Sequence, residues 1–166
     1  MYCKILVMKK LILILFGLFV SFSCFAQSAD VITDLLEKKE VTFGQISYIT
    51  AVQKNLVDEN ASYEAAVQAL VENKIIPEYE DSEAPIPLVD IVYLYSKLWP
   101  IKGGLMYRIT KGAPRYVFKQ FQADGILTGK QEPADIITGA KALSIYTSCI
   151  NKYSEFDIRA VSMESE

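Results

Sequence analysis

The fold of this chain is decided by residues 86–100, which read IPLVDIVYLYSKLWP. Large apolar side chains recur every three or four positions from Leu88 to Trp99, which is the spacing of one face of an α-helix. Pro87 suits the start of that helix, and Pro100 ends it. A single helix cannot bury such a stripe alone, so this stretch predicts a domain of packed helices.

Apolar residues recur at helical spacing on both sides of this stretch, whereas the alternation typical of β-strands is rare. Cap and turn residues mark five further helices. They begin at Thr42, at Ser62, at Leu105, at Pro114 and at about Asp135, and the last ends near Tyr153. The sequence therefore predicts an all-α fold, a single compact domain of about five to six helices.

The first 26 residues have the layout of a cleaved secretory signal peptide. Lys4, Lys9 and Lys10 precede an apolar run over residues 11–22, and small residues follow before Gln27. The run is shorter than the roughly 20 residues that a membrane-spanning helix needs. The predicted organisation is a signal peptide over 1–26, a helical domain over 27–153 and a disordered tail over 154–166.

The leader predicts an exported protein that works in the periplasm or on the cell envelope, with no transmembrane span in its mature form. Attachment of a lipid to Cys24 is an alternative to simple cleavage, because bacterial lipoprotein leaders place a cysteine near the end of the apolar run. Cys149 is the sole cysteine after the leader, so an intramolecular disulfide is not expected. Its place on the apolar side of a predicted helix indicates a buried thiol.

Composition limits the classes of function. The leader carries three of the 17 basic residues and none of the 20 acidic ones, which leaves 14 basic against 20 acidic residues and a net charge of −6. A net negative charge does not favour binding to nucleic acid, so no nucleic-acid partner is expected. The sequence contains no histidine, which excludes serine–histidine and cysteine–histidine catalysis and removes the commonest zinc ligand. No catalytic residue, cofactor or metal is predicted.

The sharpest local charge signal is the basic segment, residues 96–123, which contains six basic residues and no acid. Aromatic residues are interleaved with the cations, and Gly103, Gly104 and Gly112 leave room for a partner near the backbone. Cations meet anionic groups and aromatic rings stack on sugars, so the segment predicts binding to an anionic polymer, a lipid headgroup or a protein of the envelope. The predicted binding residues are Trp99, Lys102, Tyr107, Arg108, Arg115, Tyr116 and Lys119.

In an alternative interpretation, the basic segment contacts other parts of the same molecule and does not bind a partner. Trp99, Phe118 and Phe121 are then core residues, and the cations face the acidic loop around residues 78–83. Exposed ion pairs of that kind contribute only about 0–1 kcal/mol each. The acids concerned are Glu78, Glu80, Asp81 and Glu83.

A second alternative is an envelope enzyme that uses two carboxylates for acid and base catalysis. Asp90 and Asp124 flank the basic segment and are the candidate pair. The preferred interpretation remains a non-catalytic binding or adaptor module of the cell envelope, because the chain contains no recognisable catalytic motif.

A weak internal repeat accompanies the helical pattern. Val41-Thr42, Ile86-Pro87 and Ile137-Thr138 each place an apolar residue before a residue that suits a helix start. Their spacings are 45 and 51 residues. Repeats of this period predict helical units that share a core with their neighbours, arranged as a pseudo-repeat array.

The unit formed by residues 118–150 resembles the S-layer homology repeat: a helix, then GILTG at residues 125–129, then Ile137-Thr138 at the start of a second helix. The resemblance implies a three-part helical module that attaches exported proteins to cell-wall polymers. Gly139 and Lys141 stand where that family usually has a basic residue and a glutamate.

Residues 99–108, WPIKGGLMYR, followed by Pro114-Arg115-Tyr116, are also similar to a segment of uncharacterised exported helical proteins of spirochaetes. This second resemblance implies export and a helical structure, and it implies no activity.

Overall fold

The structure, a computed structural model, describes residues 26–77 and 81–163. These residues contain seven helices and no regular β-strand, so the predicted all-α fold is confirmed. The helices are α1 Ala26–Glu37, α2 Phe43–Gln53, α3 Tyr63–Glu72, α4 Leu88–Tyr95, α5 Leu105–Ile109, α6 Pro114–Ala123 and α7 Gly139–Met163. The predicted signal peptide lies, up to residue 25, outside the described residues.

Among the described residues, those from Leu35 onward form one compact unit, which holds α2 to α7, and those before Leu35 belong to another. Most of α1 lies in the N-terminal unit. The sequence did not indicate α1, because it follows the predicted leader directly and no turn or cap residue marks its start.

Capping residues set the helix starts where the sequence predicts them. Thr42 and Gln45 form a capping box at α2, in which the Gln45 N–H donates to Thr42 Oγ1 at 3.4 Å and the Thr42 N–H donates to Gln45 Oε1 at 3.1 Å. Ser62 Oγ accepts from the Ala65 N–H at 3.2 Å and caps α3. Pro114 occupies the first turn of α6.

The three segments matched by the sequence repeat pair with one another, at what we call the central junction. The Ile86 N–H donates to the Val41 carbonyl at 3.0 Å, and the Val41 N–H donates to the Ile137 carbonyl at 3.1 Å. The Leu88 N–H donates to the Asp135 carbonyl at 2.8 Å. These contacts bring together the chain segments that lead into α2, α4 and α7.

The central junction also explains why α7 begins at Gly139 and not near Asp135, since the residues between them are outside any helix and pair there. Thr138 then caps the helix, because its Oγ1 accepts from the Lys141 N–H at 3.3 Å. A Cβ atom on Gly139 would overlap the Leu35 carbonyl. Close approach of that backbone therefore requires glycine at this position.

The stripe that the sequence predicts from Leu88 to Trp99 lies in the core only over α4, which ends at Tyr95. Leu98 and Trp99 follow the helix and are half-buried, so Pro100 does not end it. Leu88, Ile91 and Tyr95 are fully buried, as are Phe121 of α6 and Cys149 of α7. The buried thiol predicted at Cys149 is thus confirmed. Burial raises its pKa to about 12, because the thiolate would lose its hydration there.

The last helix, α7, is 25 residues long and continues to Met163, whereas the sequence predicts its end near Tyr153. Within residues 26–77 and 81–163, none of the helices has both the length and the apolar character needed to cross a membrane.

Candidate functional site

The basic segment follows α4 directly and continues through α5 and α6. Lys97 is half-buried, and its Nζ lies 4.2 Å from the centre of the Tyr93 ring. The other five cations are exposed, so the structure places most of the segment's positive charge on the surface. They are Lys102, Arg108, Lys111, Arg115 and Lys119.

Arg115 and Lys119 lie one turn apart on α6 and line a surface groove of about 460 Å³, which we call the cationic groove. Neither side chain has a hydrogen bond or ion pair within the described ranges. Two positive charges therefore stand next to each other, and among the described residues no acid pairs with them. The remaining lining residues are Val89, Phe118, Gln122, Gln131 and Pro133.

One wall of the cationic groove holds an unsatisfied acceptor. Gln131 Oε1 is buried and has no hydrogen-bond partner among the described residues. Buried polar atoms are nearly always paired, so a donor from water or from a bound group would satisfy this oxygen. The groove thus combines two cations with the amide groups of Gln122 and Gln131.

The short helix α5 forms an exposed apolar tip, which consists of Leu105, Met106 and Ile109. Their side chains are 72 %, 48 % and 64 % exposed, and α5 buries none of its residues. The helix begins at Leu105, as the sequence predicts. Its apolar residues are nevertheless on the surface, next to the exposed cations Arg108 and Lys111.

Tyr107 anchors α5 from the opposite side. A Cβ atom on Gly103 would overlap the Tyr107 ring, and a Cβ atom on Gly112 would lie 3.3 Å from the phenol oxygen. Gly112 also has a φ of +71°, which favours glycine. Burial raises the pKa of Tyr107. This predicted binding residue therefore packs against the chain on both sides of α5.

A hydrogen-bond relay connects the start of α5 to α7. The Gly104 N–H donates to Gln120 Oε1 at 2.9 Å, and Gln120 Nε2 donates to Asp124 Oδ1 at 3.0 Å. The Tyr153 hydroxyl donates to Asp124 Oδ2 at 2.7 Å. Burial, together with this bond to Asp124, raises the pKa of Tyr153.

Aromatic residues of α4, α6, α7 and the α4–α5 loop form what we call the aromatic cluster: Tyr95, Trp99, Phe121, Tyr146 and Tyr153. The Trp99 ring centre lies 5.6 Å from that of Tyr146 and 6.3 Å from that of Tyr153. Tyr146 also lies 5.3 Å from Tyr95, and Tyr153 lies 6.0 Å from Phe121. Trp99, which the sequence predicts to bind a partner, thus packs within the molecule.

The structure separates the cations of the basic segment from its aromatic residues. Phe118 and Phe121 are buried, with 4 % and 0 % exposure, as the core alternative predicts. Trp99, Tyr107 and Tyr116 are half-buried. Of the predicted binding residues, Lys102, Arg108, Arg115 and Lys119 are the exposed ones.

The predicted pairing of the basic segment with the acidic loop concerns two described acids. Asp81 Oδ1 accepts from the Glu83 N–H at 3.0 Å. Neither acid has an ion pair with a described cation of the segment. Glu78 and Glu80 lie outside the described residues, so pairing with them stays a prediction.

The two carboxylates of the candidate catalytic pair, Asp90 and Asp124, have different surroundings. Asp90 is half-buried and lines an apolar groove of about 530 Å³ beside Tyr93. Asp124 is not among the residues that line this groove, and both of its oxygens accept hydrogen bonds from side chains. Asp124 therefore acts in the relay. The prolines of the groove are Pro77, Pro85, Pro87 and Pro114.

The sequence did not indicate two parts of this surface. Leu105, Met106 and Ile109 fit a helical stripe. The only sequence feature that indicates their exposure is that the helix is short and lies between glycines. Gln131 lies in a loop and has no periodic signal, and its proximity to Arg115 arises from the fold.

Comparisons with protein-family models, with curated proteins and with solved structures found no match to this chain.

Proposed function

We propose that this protein is an exported, non-catalytic helical module that binds an anionic component of the cell envelope through the cations of its basic segment. The observation that carries the proposal is the cationic groove, where Arg115 and Lys119 lie one turn apart and have no acidic partner in the described part of the chain. A guanidinium binds a carboxylate or phosphate through two parallel hydrogen bonds, and a nearby ammonium adds a second charge.

The proposed location rests on the leader at residues 1–26 and on the resemblance to the S-layer homology repeat. Pairing of the three repeat-matched segments at the central junction supports a three-part helical arrangement. The anionic partner is an envelope polymer, a lipid headgroup or an acidic protein surface.

The test reverses two charges of the basic segment. Arg108→Glu combined with Arg115→Glu should abolish co-sedimentation with the native envelope, because both guanidinium groups are exposed and would become repulsive to an anion. The free energy of unfolding should change by only about 0.5 kcal/mol, as is usual for surface substitutions. Wild-type binding should weaken as salt is added, since exposed charges are screened beyond roughly 10 Å at 0.1 M.

The matched control is Lys130→Glu combined with Lys152→Glu, which changes the net charge equally at exposed positions outside the segment. It should retain binding. Undiminished binding by the Arg108 and Arg115 variant would refute the proposed surface. A clear drop in its melting temperature, partly restored when Glu78, Glu80, Asp81 and Glu83 are made basic, would favour the internal charge match.

A further inference from the structure

The geometry points to a membrane contact at α5: the apolar tip inserts into the interface of an anionic lipid bilayer, and Arg108 and Lys111 contact its headgroups. This inference rests on the proposed function and names lipid as the anionic partner of this part of the basic segment.

The first support is the orientation of α5. Successive helical residues are about 100° apart, so Leu105, Met106 and Ile109 lie within roughly 100° of one another around the axis. Tyr107 lies on the other side, packed against Gly103 and Gly112. The inward contact of α5 is thus made by an aromatic residue, and its three aliphatic residues face outward.

The second support is the concentration of exposed apolar surface. Seven large apolar side chains are exposed among the described residues, and three of them fall within the five residues of α5. Leu105 and Ile109 are the two most exposed of the seven. Single exposed apolar residues are ordinary, whereas a group rimmed by polar residues marks a contact surface for a protein or a membrane.

The positive charge around the apolar tip favours an anionic membrane over a neutral apolar partner. Arg108 and Lys111 are exposed beside the tip, and the whole basic segment contains no acid. An apolar surface with a cationic rim matches a bilayer interface whose headgroups are anionic and whose interior is hydrocarbon. A soluble anionic polymer would account for the cations and would leave the three aliphatic side chains uncovered.

The tip is also held in place before any contact. The Gly104 N–H is fixed by Gln120, and Gln120 is fixed by Asp124. Contact with a bilayer therefore does not require α5 to fold at that moment, which lowers the entropic cost of binding.

The experiment measures binding of protein recovered from its native host to vesicles of phosphatidylglycerol mixed with phosphatidylcholine, and to vesicles of phosphatidylcholine alone. Leu105→Ser combined with Ile109→Ser should weaken binding to the anionic vesicles by about tenfold or more, because two exposed side chains lose their apolar contact. The matched control, Ile136→Ser combined with Ile150→Ser, removes two isoleucines of 43 % and 38 % exposure elsewhere in the unit and should bind like the wild type.

Hydrogen exchange measures the contact at α5 itself, so membrane binding through a leader or an attached lipid on the same protein does not affect it. Anionic vesicles should slow amide hydrogen exchange in α5, relative to α3 as an internal reference, in the wild type and in the control. The protection should be absent in the Leu105 and Ile109 variant. Equal melting temperatures would show that all three proteins are folded.

Envelope material from which lipid has been extracted separates the two proposals. Binding to that material without binding to anionic vesicles would overturn the membrane contact and leave the proposed function standing. Absence of binding to both would overturn both proposals. Equal vesicle binding by the wild type and the Leu105 and Ile109 variant, or α5 protection in phosphatidylcholine alone, would also overturn the membrane contact.

Discussion

Two apolar helices of this protein, α4 and α5, are separated by nine residues along the chain and differ in the burial of their apolar side chains. Leu88, Ile91 and Tyr95 of α4 are fully buried, whereas Leu105 and Ile109 of α5 are 72 % and 64 % exposed. Each sequence has large apolar residues three or four positions apart. The difference comes from what covers them: α6, α2 and α7 pack against α4, and among the described residues no element covers the outer face of α5. Apolar content on its own therefore does not separate a core helix from a contact helix.

The aromatic cluster beside α4 and the apolar tip of α5 are linked by the relay through Gln120 and Asp124. The cluster supplies buried area, which stabilises the fold, and the relay holds the tip in position on it. Substitutions in the two regions should therefore differ in what they change.

The largest expected effect comes from removing a ring of the aromatic cluster. Phe121→Ala should lower the free energy of unfolding by about 3–5 kcal/mol, because Phe121 is fully buried and the cavity would collapse only in part. Ile109→Ala at the tip should change it by only about 0.5 kcal/mol. Urea unfolding of both variants measures the difference. Comparable losses would mean that the tip is covered in the folded protein, and the contrast with α4 would fail.

An intermediate effect is expected where the relay joins the two regions. Gln120→Met keeps the volume of the side chain and removes its bonds to the Gly104 N–H and to Asp124. At about 0.5–1.5 kcal/mol for each bond, the variant should lose about 1–3 kcal/mol.

Hydrogen exchange shows where the relay acts. The amides of α5 should exchange faster in the Gln120→Met variant, while those of α4 stay protected by their own packing. The control is Gln122→Met, an exposed neighbour with no bond in the relay. Unchanged exchange in α5 would show that the tip is held by Tyr107 alone.

The smallest effect concerns alkaline pH and belongs to Tyr95 of the aromatic cluster and to the buried thiol of Cys149. Burial raises the pKa of Tyr95 and of Cys149, the latter from 9.0 to about 12. The unfolded chain therefore loses these protons first as pH rises, so this stabilisation is complete below about pH 9 and is lost progressively up to the folded pKa values. The melting temperature should start to fall near pH 9.

Tyr95→Phe tests the origin of this slope. The Tyr95 hydroxyl is buried without a hydrogen-bond partner in the described structure, so its removal should cost little at pH 7 and should flatten the decline of the melting temperature above pH 10. Tyr116→Phe, which changes a half-buried tyrosine outside the cluster, should keep the decline. Identical slopes in both variants would place the alkaline sensitivity elsewhere.

Local interactions made much of the fold predictable from sequence. The cap at Thr42, Pro87 at the start of α4 and the apolar periodicity of α4 all act within a few residues, so their outcome follows from neighbours along the chain. The buried thiol of Cys149 followed from the same periodicity. The repeat located the three segments that meet at the central junction, although it said nothing about which atoms pair there.

Contacts between distant residues decided the rest. Gly139 is required by the Leu35 carbonyl, which lies over one hundred positions earlier, and Gln131 reaches Arg115 only through the fold. Charge segregation in the basic segment predicted exposed cations, but the inward packing of Trp99 depends on Tyr146 and Tyr153 of α7. The sequence by itself determined helices α2 to α7, the starts of α2 to α6 and the placement of charge, since these are set by neighbouring residues. Only the tertiary structure decided which apolar face is covered, because coverage depends on elements brought together from far apart in the chain.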